Sequence, residues 1–148
     1  MNAKTRSLVA TVLLVVAVLF LLRDHALVAR TSVGITTQAL GVVLMLWARL
    51  TFGMRSFHAT ANPTEGGLVT AGPYRFWRHP IYAAVLLFVW SGVLGHGVAP
   101  TSMDLVLGAF ATLMTAVRIQ AEEQLLRASM PEYVAYAART KRLIPFVF

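Results

Sequence analysis

The sequence predicts an all-α membrane protein of about four transmembrane helices, with a cytoplasmic loop and a C-terminal helical segment forming a pocket. Three observations carry this. Of the 148 residues, 57% are hydrophobic and only 13% charged, where a soluble domain of this size has about 25% charged residues. Mean hydropathy is positive, at +0.68. The apolar residues fall into long runs broken at a few charged positions.

Four runs stand out. Ser7 to Leu22 carries no charge and is flanked by Lys4 and Arg6 before it and Arg23-Asp24 after it. Its basic start also fits a signal peptide. No clean pair of small residues for cleavage follows in Asp24–Arg30, which favours a retained helix. The second run, Thr31 to Ala48, ends at Arg49. Pro80 to Met103 is the longest, uncharged but for a single histidine, His96, and Leu105 to Val117 lies between Asp104 and Arg118. A spanning helix needs about 20 residues, so the first and fourth runs must draw on their flanks, where arginine can snorkel. Spans are expected at roughly 7–22, 31–48, 80–98 and 103–118, the fourth the weakest, within one domain covering 1–148.

Charge sets the orientation. With both termini on one side, that side holds Lys4, Arg6, Arg49, Arg55, Arg75, Arg78, Arg118, Arg127, Arg139, Lys141 and Arg142, and the other holds Arg23 and Arg30. The positive-inside rule then puts both termini, the loop 51–79 and the segment 119–148 in the cytoplasm. The net charge of +7 does not indicate nucleic acid, because the arginines are scattered between apolar runs and form no basic stripe. Cysteine is absent, which removes disulfides, thiolate metal sites and cysteine nucleophiles. No Gly-rich strand-turn-helix is present, so the common soluble nucleotide-binding fold is excluded. No metal site is expected, since no second ligand stands at suitable spacing from His79.

The polar loop turns into the third run through Gly72-Pro73-Tyr74-Arg75-Phe76-Trp77-Arg78-His79-Pro80-Ile81-Tyr82. Pro80 suits the first turn of a helix. Arg78 and His79 are thereby placed at a helix N-terminus, where backbone N–H groups and the dipole favour an anionic group. Further on, Arg118/Glu122 and Glu123/Arg127 are spaced for i,i+4 pairs. Glu122 and Glu123 point about 100° apart around the axis and cannot serve one neighbour. Pro131 starts a new helical turn, with Tyr133 and Tyr136 read as packing residues. The end, Leu143-Ile144-Pro145-Phe146, could dock on the membrane surface.

At these positions the chain resembles the integral-membrane methyltransferases, which include isoprenylcysteine carboxyl methyltransferase and the phospholipid N-methyltransferases. The resemblance rests on Gly-Pro-Tyr-Arg at 72–75, Arg78-His79-Pro80-x-Tyr82, the Glu122-Glu123 pair, Pro131-Glu132-Tyr133-x-x-Tyr136 and Arg142-Leu143-Ile144-Pro145-Phe146. It covers roughly Gly66 to the C-terminus. The pattern commonly has glycine where this chain has Ala84, and Phe-Gly where it has Ser129-Met130.

The resemblance implies S-adenosylmethionine as cofactor, with Arg78, His79, Pro80, Tyr82, Glu122 and Glu123 as its binding residues. It implies methyl transfer to a lipidic or prenylated acceptor at the cytoplasmic membrane face, most like carboxyl O-methylation of an isoprenylcysteine. Membrane lipids are the other expected partner. A carboxylate acceptor is already ionised and needs only orientation, for which Arg75 or Arg118 is suited; a thiol or amine needs a base, for which His79 or a glutamate is suited. Methylation of a phospholipid amine or small thiol is the alternative within the same chemistry. From other classes, a nicotinamide-dependent membrane reductase and a non-catalytic scaffold stay open, and the oligomeric state is not specified.

Overall fold

The computed structural model describes residues 1–53 and 67–143, and within them every regular element is helical. The order is α1 (Ala3–Arg23), α2 (Ser32–Phe52), a single 3-10 turn (Gly72–Arg75), α3 (Pro80–Gly95), α4 (Ser102–Ser129) and α5 (Glu132–Arg139). Helices α1, α2 and α4 are each long and apolar enough to cross a membrane, and α3 is a shorter apolar helix. The four run alternately up and down. Helix α1 packs along α4 and α2 along α3, with a narrower α3–α4 contact joining the two pairs. Leu21, Leu27, Val89, Val93 and Ala111 form the buried centre, while the outward faces of α1 and α2 expose Val, Leu and Ile as a bilayer requires.

Each boundary has a local cause. Asn2 caps α1 by accepting from the Thr5 amide at 2.8 Å, so the helix takes in Lys4 and Arg6 and starts before the apolar run does. At α4 a reciprocal capping box joins Thr101 and Asp104.

The relative strength of the third and fourth runs is the reverse of what composition suggests. Helix α3 ends at Gly95, not near 98, and its 16 residues rise only about 24 Å. The chain leaves it through Gly97, at φ +100°, and the Arg30 and Thr31 amides cap the Gly95 carbonyl at 2.6 and 2.9 Å. Helix α4, by contrast, continues through Arg118 for 28 residues, or about 42 Å. Arg118 does not stop it because that side chain is buried and donates from Nε to the Tyr82 hydroxyl at 3.0 Å.

One uncharged polar residue holds the α1–α2 connection. Gln38, buried within α2, donates from Nε2 to the carbonyls of Leu27 (2.7 Å) and Phe88 (3.1 Å). Its Oε1 accepts from the Ala29 amide at 3.0 Å. A side-chain amide inside an apolar helix is tolerable only when satisfied in this way. The connection can lie so close because α3 has glycine there: a Cβ on Gly92 would sit 2.1 Å from the Leu27 carbonyl oxygen. Both groups are backbone-bound, so Gly92→Ala is expected to cost about 1–3 kcal/mol or more, read as a lower Tm in detergent. A Tm unchanged by the substitution would mean that the connection is not seated on α3.

Candidate active site at the junction of α3 and α4

At the end of the bundle where α1 begins, the start of α3, the extension of α4 beyond Arg118 and the segment after α5 converge. Pro73 sets the 3-10 turn, which delivers Arg78 and His79 to the mouth of α3, with His79 as N-cap and Pro80 as first residue. Glu123 sits opposite and is 5% exposed. Its Oε1 accepts from Arg78 Nε at 3.0 Å and lies 3.4 Å from His79 Nε2. Its Oε2 meets Arg142 at 3.3 Å, with Arg127 at 4.0 Å.

The second carboxylate faces elsewhere, as the helical spacing requires. Glu122 Oε2 accepts from the Tyr82 hydroxyl at 2.8 Å. That hydroxyl accepts in turn from Arg118, whose guanidinium also lies 5.5 Å from the Tyr82 ring centroid. Tyr82 thus stands between Arg118 and Glu122, the two residues expected to pair directly. The His79 and Tyr82 rings are 5.6 Å apart, linking the two halves of the cluster.

Arg78 does more than neutralise Glu123. Its Nη1 donates to the carbonyls of Ala137 (2.8 Å) and Thr140. The Arg78 and His79 amides donate to Lys141 (2.7 Å) and Arg142 (3.0 Å) carbonyls, and the Lys141 amide donates back to Phe76. Residues 141 and 142 are thereby seated directly against the segment that leads into α3. From α5, the Tyr136 hydroxyl donates to the Tyr74 carbonyl at 2.7 Å. Tyr133 and Tyr136 are buried, as the packing reading expects.

Electrostatics follow from this enclosure. Burial alone would raise the Glu123 carboxyl, but hydrogen bonds and charge from His79 and Arg78 outweigh it and hold the group at about 2. Burial pushes the Tyr136 phenol up to about 12 and the Tyr133 phenol further, so both are neutral donors at ordinary pH.

Six of the eight sequence-predicted site residues are joined in these two linked clusters: Arg78, His79, Tyr82, Glu122, Glu123 and Arg118. Pro80 shapes the junction and is buried. Arg75 lies exposed at the end of the 3-10 turn, and no described hydrogen bond or ion pair ties it to the others. Three groups at the site were not among the predicted site residues. Arg142 reaches Glu123 from 19 residues away. The buried Tyr133 hydroxyl and Trp77 indole N–H have no hydrogen-bond partner among the described residues. Only the repeated aromatics around the motifs hinted at them. The turn signals at Asn62-Pro63 and the chain end at Ile144-Pro145-Phe146 lie outside the described residues. Ala84, the departure from the glycine pattern, is buried against α2, where a Cβ on Gly41 would come 3.3 Å from the Ala84 carbonyl oxygen. The close approach at this level is made by glycine on the facing helix.

The class defined by fold and site together is a helical membrane bundle whose Arg-His-Pro-x-Tyr turn engages paired glutamates on a later helix. Residues 31–128 match the isoprenylcysteine carboxyl methyltransferase family, and the chain belongs to that family. It is similar to the cobalt-zinc-cadmium resistance protein CzcN of Cupriavidus metallidurans, with 34% identity over 116 residues, 77% of this chain and 48% of the relative. It is also similar to the nickel-cobalt-cadmium resistance protein NccN of Alcaligenes xylosoxydans xylosoxydans, with 35% identity over 119 residues, 79% of this chain and 50% of the relative. The chain spans about half the length of both. No solved structure matches.

Proposed function

We propose that this protein is an S-adenosylmethionine-dependent methyltransferase acting on a lipidic or prenyl-modified acceptor at the cytoplasmic membrane face. The observation that carries the reading is the meeting of the α3 mouth with Glu122 and Glu123 on α4. Beside it lies the buried Tyr133 hydroxyl, and in the turn that leads to Arg78 lies the buried Trp77 Nε1; the hydrogen-bonding capacity of both is unused among the described residues. Such groups are costly when left without a partner, and they fit a polar ligand seated against the cluster. S-adenosylmethionine supplies an electrophilic methyl group on a sulfonium, together with an ammonium, a carboxylate and a ribose diol.

The residues suit those groups. Glu122, with one carboxylate oxygen free of described hydrogen bonds, accepts from an ammonium or diol. Arg142 and His79 hold a carboxylate, and Tyr82 and Trp77 offer aromatic faces for adenine or the sulfonium. Arg78 is a positioning residue here, because its donors serve Glu123 and the C-terminal carbonyls. Arg118, held by Tyr82, orients an acceptor carboxylate where the acceptor is one. Alignment of acceptor and methyl group in a dry site supplies roughly 7–11 kcal/mol of barrier lowering.

Position supports a lipidic acceptor: the cluster sits where the apolar run of α4 gives way to its polar extension, where a substrate with its tail in the bilayer would present its headgroup. A phospholipid amine fits the same site, with Glu122 or His79 as base. The names of the two relatives bring a second reading of what the methylation serves, namely resistance to cobalt, zinc, cadmium or nickel, without changing the chemistry.

Calorimetric titration of S-adenosylmethionine into detergent-purified protein, followed by transfer of a labelled methyl group to total membrane lipid, tests the reading. Saturable binding with label in the lipid phase is expected. Binding of a nicotinamide cofactor in its place would move the protein to the reductases, and binding of neither would leave a scaffold.

A further inference from the structure

A second polar enclosure lies at the opposite end of the bundle, where the α1–α2 and α3–α4 connections meet. A cavity of about 290 Å³ is lined by Asp24, His25, Arg30, His96, Val98, Thr101 and Asp104. Its volume matches about ten waters at roughly 30 Å³ each, enough for a small polar group but not for a whole lipid. None of these residues takes part in the cluster around Glu123.

Two of the lining side chains are more than nine-tenths buried, His96 at 7% and Asp104 at 4% exposure, and each keeps an unused acceptor. His96 Nδ1 lies 3.2 and 3.0 Å from the Gly92 and Val93 carbonyl oxygens. Carbonyls only accept, so Nδ1 carries the hydrogen, and Nε2, the acceptor of that tautomer, has no described partner. Asp104 uses Oδ2 for the Thr101 amide and hydroxyl, and its Oδ1 has no described hydrogen bond. Arg30 adds a cation to the same wall, with no described side-chain partner; its amide is what caps α3. His25 is the one non-glycine residue at positive φ among those described, at +57°, a conformation that costs free energy and is enriched at ligand sites. Among the described residues no three His, Cys, Asp or Glu side chains come close enough to share a metal ion, which sets a bare metal aside.

Acceptors on one part of the wall and an arginine on another suit a ligand carrying an N–H cation and an anion together. The place suits it too. The cavity lies where the apolar runs of α1 and α3 end, beside the exposed Val28, Leu94, Val98 and Met103, at the level of lipid headgroups. We propose that it holds the headgroup of a primary-amine phospholipid, its ammonium on Asp104 and His96 and its phosphate on Arg30. The chemistry recognised is an ammonium-phosphate zwitterion. The bilayer is its source.

Native mass spectrometry of delipidated protein in detergent, with phosphatidylethanolamine or phosphatidylcholine added, tests this. Choline has no N–H to give Asp104 or His96, so the ethanolamine lipid is expected to be retained about tenfold better, the worth of one charge-assisted hydrogen bond. D104N should remove most of that preference, and R30Q should lower retention of both lipids about tenfold, because the phosphate is common to the two. The side-chain carbonyl introduced by D104N can still accept from the Thr101 amide, and R30Q keeps the test open should D104N fail to fold. Equal retention of the two lipids by the unaltered protein, or retention of both untouched by R30Q, would overturn the proposal. Displacement of the lipid by millimolar soluble phosphoethanolamine would overturn the bilayer as source, and displacement by micromolar zinc would overturn the zwitterion.

Discussion

Glu123→Gln is expected to abolish S-adenosylmethionine binding and to lower stability by about 3–5 kcal/mol, the cost of removing one partner from a buried ion pair. The carboxylate is 5% exposed and meets Arg78, His79 and Arg142 within 3.4 Å. The neutral amide of the variant would fill the same space but leave two guanidinium groups without their counter-charge. The pH dependence provides a separate readout. The folded-state value of about 2 lies below the ordinary 4.5, so the stabilisation from Glu123 is complete above about pH 4.5. It is lost as pH falls toward 2. In wild-type protein Tm should decline across that window, and in Glu123→Gln this part of the decline should vanish. If the variant loses stability yet binds S-adenosylmethionine within threefold of wild type, Glu123 is structural only and the cofactor contact belongs to Glu122.

Arg78→Lys is expected to release the C-terminal segment while leaving the bundle folded. One planar guanidinium serves the Glu123 carboxylate and the Ala137 and Thr140 carbonyls together. A lysine ammonium is a point charge that cannot span that fork. Loss of one or two charge-assisted hydrogen bonds corresponds to roughly 2–5 kcal/mol, taken from the docking of residues 137–142. Hydrogen exchange should show the Arg78, His79 and Lys141 amides losing protection while α1, α2 and the apolar part of α4 keep theirs. Cofactor affinity should fall at least tenfold, since Arg142 would no longer be held beside Glu123. Unchanged protection at Lys141 would show that the segment is held by Tyr136 and packing instead.

Much of this was legible in the chain before any coordinates. The apolar runs named four helices because a bilayer leaves a backbone few other options. Helical geometry separated Glu122 from Glu123, and they do face different partners. What periodicity could not reach were the ends. Helix α3 stops at Gly95 because the α1–α2 connection caps it from afar, and α4 passes Arg118 because Tyr82 receives that charge. Both are tertiary contacts between residues more than 30 positions apart. Arg142 escaped notice for the same reason: in sequence it is one of a basic trio, and only folding back onto Glu123 distinguishes it from Arg139. Gln38 escaped because an uncharged residue in an apolar run leaves no mark on charge patterning.

The contact between Arg78 and Thr140 has a meaning in time as well as in space. They are 62 residues apart, which is roughly 3–12 s of translation at 5–20 residues per second. Throughout that interval Arg78 stands at the head of a freshly inserted helix without the carbonyls it will hold, and Glu123 emerges later with Arg142 still unmade. The bundle can therefore be built and inserted before its polar centre exists. A ribosome stalled before residues 140–142 would leave a membrane-embedded bundle in which Arg78 and Glu123 still lack these partners.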